Sequence, residues 1–173
     1  SSQATPSLAE VLLTGSADDI RAAAAAAGAA NGITEAMGED AVAYALSQAV
    51  AEGDIEVMCA LVEVCGADAN RPTEVGASAV FVAAAFGQLA ALMWLVEHAG
   101  GDVATCAING ASPVFVAAGN GYTEVVEWLV ASGGGDVAAP AADGSQPLHE
   151  AVRGNHAGTV AWLVERGGAD VDA

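Results

Sequence analysis

Trp94, Trp128 and Trp162 stand 34 residues apart, and most of their surroundings recur with them. Gly76, Gly110 and Gly144 share one column. So do Ala83, Ala117 and Ala151, then Leu95, Leu129 and Leu163, then Asp102, Asp136 and Asp170. Identity at a fixed spacing of this length marks stacked supersecondary units, each burying its apolar side only against a neighbour. Such an array spreads its core along a rod and presents an extended surface, and a pocket for chemistry is unusual in it.

The unit reads as two short helices. In the clearest copy, residues 110–137, Ser112 caps a helix that opens at Pro113 and runs to about Asn120. Gly121 supplies a left-handed turn; its column holds Gly53, Gly87 and Asn155, and Asn is the other residue that tolerates this conformation. A second helix follows from Thr123 to about Ala131, with Val125, Val126, Leu129 and Val130 as its apolar stripe. Gly133, Gly134 and Gly135 end it, and a polar extended connection, Asp136 to Asp143, leads to the next copy.

Leu46, Ala49, Gly53, Leu61, Gly66 and Asp68 fit the same columns, so residues 42–69 form a fourth unit with Ala60 in the tryptophan position. Leu8 to Gly28 reads as a degenerate first unit. Leu8, Leu12 and Leu13 make one helix, Ser16 with Asp19 forms a capping box, and the run Ala22 to Ala27 forms the second helix. Residues 29–40 read as an irregular link. The expected fold is an all-α solenoid of about five stacked helix-turn-helix units. Residues 1–6 are a tail and 7–40 the degenerate unit with its link. Four repeats fill 41–173, at about 41–72, 73–106, 107–140 and 141–173.

The net charge is −18, from 22 acids against four arginines and no lysine. Without a basic patch to displace counterions the chain is not expected to bind nucleic acid, and an anionic membrane surface is disfavoured too. The acidity serves solubility, or attraction to a basic partner. The absence of lysine excludes Schiff-base and P-loop lysine chemistry. Cys59, Cys65 and Cys106 give neither a disulfide framework nor zinc spacing, which implies a reducing intracellular compartment. That compartment is the cytoplasm, or an organelle after removal of a targeting segment. The chain opens at Ser1, and Ser1 to Ser7 has neither the apolar core of a signal peptide nor the arginine of a transit peptide. Val75 to Val96 is uncharged over 22 residues, long enough to span a bilayer. Its sister copies carry Glu124, Glu127, Glu150 and Arg153, so it reads as two buried short helices, and membrane insertion is not expected.

At this point the chain resembles the ankyrin repeat family. The family's Gly-x-Thr-Pro-Leu-His-x-Ala-Ala, Gly-His, Leu-Leu and Gly-Ala-Asp are similar to Gly144-Ser-Gln-Pro-Leu-His-Glu-Ala-Val152, Asn155-His156, Leu163-Val164 and Gly168-Ala-Asp170. The period departs by one residue from the family's usual 33, with Gly100-Gly101 and Gly134-Gly135 marking where the extra residue falls. The family's histidine recurs only as His149; Phe81 and Phe115 replace it elsewhere. The resemblance implies a stack of helix pairs that binds proteins through turn tips and a concave inner-helix face. Carried onto this chain, the tips are Glu74, Val75, Ala77, Ile108, Asn109, Ala111, Ala142, Asp143 and Ser145. The inner-helix surface is Ala51, Glu52, Ala85, Phe86, Gly119, Asn120 and Arg153.

Phe86 stands out because its column otherwise holds Glu52, Asn120 and Gly154. It is a binding anchor, or it folds down against Ala85 or a neighbouring repeat. Ile108 has the same two readings. The tryptophans read as core. Trp162 lies in the last complete unit with no polar cap after it, so the stack end there is a second candidate docking surface. Metal and catalytic readings fail on spacing: His98, His149 and His156 occupy three different columns, and Asp102, Asp136 and Asp170 supply one carboxylate per repeat. Those aspartates read as solvated or turn-bonding. His149 resembles the family's structural histidine, and Cys106 reads as an exposed thiol on a tip.

The expectation is a non-catalytic protein-interaction module, without cofactor or metal, for a partner with a basic or neutral surface. The alternatives are a structural subunit packed by its apolar ends into a larger, organellar assembly, and an enzyme or a regulatory domain cut from one.

Overall fold

In a computed structural model that describes residues 7–26, 32–131 and 134–170, the chain is all helical. The elements are α1 (Leu8–Thr14), α2 (Ala17–Ala26), α3 (Gly32–Met37), α4 (Glu39–Glu52), α5 (Ile55–Glu63), α6 (Ala79–Ala85), α7 (Leu89–His98), α8 (Pro113–Gly119), α9 (Thr123–Ala131), α10 (Pro147–Arg153) and α11 (Ala157–Glu165). Apart from α3 they form five helix-turn-helix pairs. Inner helices α4, α6, α8 and α10 lie side by side, each backed by its own outer helix, and α1 and α2 extend the stack beside α4 and α5.

Local chemistry sets the helix ends. The hydroxyls of Ser78 and Ser112 accept from the amides of Phe81 and Phe115, three residues on. Pro113 and Pro147 open α8 and α10 without wasting a donor. Between the paired helices the backbone is left-handed at Gly53, Gly87, Gly121 and Asn155, with φ of 74, 70, 78 and 58°. Each outer helix closes alike: the amides of Ala67, Gly101, Gly135 and Ala169 donate to the carbonyls of Leu61, Leu95, Leu129 and Leu163. Those four leucines are fully buried. Burial of each is worth about 1.5–3 kcal/mol, and the 34-residue period is the spacing of this core. The tryptophans are half-buried and pack against that core from outside it.

Each of the last three repeats begins with an extended tip. The amides of Thr73, Ala107 and Ala141 donate to the carbonyls of Ala77, Ala111 and Ser145, and Gly76, Gly110 and Gly144 close the turn beneath. The uncharged stretch 75–96 is thereby divided among a tip, α6 and α7. Among the described residues no helix is long and apolar enough to cross a membrane.

The expected irregular link is corrected. Where described, it holds α3 and the start of α4, which begins at Glu39, ahead of residue 45 where the register of α6 would place it; residues 29–31 lie outside the described residues. Among the described residues no hairpin tip precedes this repeat, and the helix winds back until Gly38, at φ 87°, stops it. Glu39 and Asp40 suit a helix N-terminus, and Arg71 from the next connection pairs with both. The Thr34 hydroxyl donates to the Cys65 carbonyl and ties α3 to the end of α5. Ser16 and Asp19 form the expected capping box at α2; Ala27, expected in that helix, lies outside the described residues.

Candidate interaction surface

Inner-helix surfaces and tips form one continuous face, and its two halves differ. In the N-terminal half, α4, α6 and the 73–77 tip enclose a groove of about 700 Å³. Tyr44, Val75 and Phe86 line it while 50, 74 and 56 % exposed, and Met37 and Val82 fill the space between. In the C-terminal half, α8 and α10 enclose about 310 Å³, lined by the polar Asn109, Asn120, Glu150 and Arg153 as well as by Phe81, Phe115 and Val116, none of which is among the exposed large apolar residues.

The polar groups of the second half are engaged within the fold. The Asn120 amide donates to the Ala85 carbonyl at 2.9 Å. The Asn109 side-chain oxygen accepts from the Ala111 amide. Arg153 pairs with Glu150, a buried carboxylate. Asp143 accepts from the Ser145 amide, a bond that holds its carboxyl below the usual aspartate range. The aromatic rings of the first half have no comparable task.

The expected site residues divide accordingly. Glu74, Val75, Phe86, Ile108, Asn109, Asn120, Asp143 and Arg153 are exposed, and Ser145 and Trp162 half-buried. The Phe86 ring is not folded down into the stack; it is more than half exposed. Ala77 and Ala111 are corrected: they are 8 and 2 % exposed. Each follows the tip glycine where the chain turns back into the stack, so its methyl points inward. Ile108 is 79 % exposed yet lies over the preceding tip, where a Cβ on Gly76 would meet it at 2.2 Å.

Sequence reasoning missed Tyr44 and Met37. In strict register Tyr44 falls in the column of Ser78 and Ser112, a helix cap. The early start of α4 moves it to mid-helix, facing the groove. The signal was Gly38 followed by two acids, a helix N-terminus ahead of the period.

A ladder between repeats also went unseen. Gln88 donates to the Ala51 carbonyl, and His156 Nε2 to the Gly119 carbonyl at 3.0 Å. Tyr122, in the same column, instead lies over Gly87, where no Cβ would fit. The other histidines are occupied too: His98 stacks on Trp94 with ring centroids 5.5 Å apart, and His149 Nδ1 accepts from the Gln146 amide of its own helix. Asp68, Asp102 and Asp136 each accept from the amide two residues on, as turn-forming aspartates do. Cys106 is exposed, whereas burial pushes the Cys65 thiol above its usual range.

Repeated helix pairs, projecting tips and a lined inner face define a helical-repeat scaffold. The family model for ankyrin repeats matches residues 46–140 and 99–173, in three copies. The chain belongs to the ankyrin repeat family, whose members are generally protein–protein interaction modules. No curated protein matches it.

Proposed function

We propose that this chain is a non-catalytic interaction module that docks a partner protein on the N-terminal half of its inner face. Tyr44, Val75 and Phe86 would serve as anchors, with Glu74 at the rim. One observation carries the reading: three large apolar side chains, each at least half exposed, converge on a groove that the fold itself leaves open. Exposed apolar patches of this kind mark interaction sites. The scaffold is already ordered, so docking forfeits little entropy. The structural employment of all three histidines supports the non-catalytic part.

A second reading, packing by the stack end within an assembly, has its own observation. Val152 is 60 % exposed where its column is closed at Ala84 and Ala118. Affinity capture at low and high salt separates the two. Proteins held by the wild-type chain should be lost with Phe86→Ala and kept with Trp162→Ala. The reverse pattern would put the contact at the stack end.

A further inference from the structure

We infer that the groove's occupant is a peptide segment of the partner carrying large apolar side chains with lysine or arginine beside them. The inference rests on the groove being the docking face and adds the chemistry of what docks there. Tyr44, Val75 and Phe86 demand apolar complements, because only such groups gain by displacing water from those surfaces. Charge selects among apolar segments. Among the described residues the only ionisable carboxyl or basic side chains lining the groove are Asp40 and Glu74, both acids, one on α4 and one on the tip. Arg71 holds one Asp40 oxygen at 2.8 and 3.1 Å but lines a separate cleft, and the Asp40 side chain stays 83 % exposed. A partner cation can therefore reach either acid and lay its aliphatic stem along the rings of Tyr44 and Phe86. The chain's −18 charge draws the same cation in from a distance.

The same physics disfavours other occupants. A second copy brings another −18 and the same acidic rim. Nucleic acid and acidic peptides meet no counter-charge in the groove. The C-terminal half has a cation in Arg153, but none of the exposed large apolar side chains lines the cavity beside it, so an acidic segment docking there would find no anchor.

The test is a selection of displayed random peptides on the folded chain, with enriched sequences resynthesised and titrated by fluorescence anisotropy. Enriched peptides should combine a leucine, isoleucine, phenylalanine or tryptophan with a lysine or arginine close by. Phe86→Ala and Tyr44→Ala should each weaken them by about tenfold or more, with circular dichroism unchanged. Glu74→Lys should weaken them by about three- to tenfold, and high salt should weaken them too. Neutral or acidic peptides that still require Phe86 would overturn the cationic chemistry and leave the groove standing as the docking face. Peptides indifferent to both aromatic substitutions would overturn both. A selection that enriches nothing, or a dimer in sedimentation that Phe86→Ala dissolves, would also overturn the inference.

Discussion

Phe86 and Asn120 occupy the same position of successive repeats, at the C-terminal ends of α6 and α8, yet one ring stands in water and the other side chain bridges to the repeat before it. The contrast recurs at the tips and on α10. Val75 becomes Asn109 and then Asp143, and Val82 becomes Val116 and then Glu150. Backbone and core are shared, so the difference lies in a handful of surface side chains. An evenly built rod thus has one half whose inner face is bridged by its own hydrogen bonds and one half whose inner face leaves large apolar side chains exposed.

The comparison requires the two halves to share their scaffold. Leu95→Ala and Leu129→Ala each empty a fully buried leucine site, and each should cost about 2–5 kcal/mol in urea unfolding. Costs that differ by more than that spread would mean that the halves are not equivalent underneath. The surface contrast comes next in size. Phe86→Ala should weaken partner binding by about tenfold or more, roughly 1.4 kcal/mol, with an unchanged melting temperature. Asn120→Ala should leave binding within about twofold and lower stability by about 0.5–1.5 kcal/mol through its lost bond to Ala85. Ser78→Ala and Ser112→Ala should cost about 1 kcal/mol each and equally, since the cap is the same in both repeats.

The smallest effect sets the first helix pair against the rest. Ser7 and Ser16 hold the Glu10 and Asp19 carboxyls below their usual range through amide and hydroxyl bonds. A folded pKa below the unfolded one stabilises at pH above the unfolded value, and that stability is lost as pH falls through the folded value. Amide protection in α1 and α2, taken relative to the intrinsic exchange rate at each pH, should therefore fall as the medium is acidified through the carboxylate range. Asp19→Asn should remove that response from α2. A response as large in α7, where no such cap exists, would argue against this cause.

Much of this architecture was legible because it is periodic. The leucine column, the glycines between paired helices, the serine cap of α8 and the boundaries of α9 follow from spacing and local chemistry. What escaped the sequence breaks the period or depends on a neighbour. Tyr44 was hidden because α4 starts a turn and a half before its repeat predicts. The helix in the link before it is tied down by a contact no local pattern reveals, the Thr34 hydroxyl donating to a carbonyl 31 residues away. Ala77 and Ala111 were read as tips because a column gives position in a turn but not which way a methyl points. Phe86 was legible as an exception within its column, and an exception in a repeat is the most informative kind of residue.

The central claim, that the N-terminal half of the inner face receives the partner, is tested most directly by placing a benzophenone photocrosslinker at position 86 in one sample and at position 120 in another. Irradiation in the chain's native extract should give one discrete adduct from position 86 and none from position 120. An adduct from position 120 with none from position 86, or equal adducts from both, would contradict it.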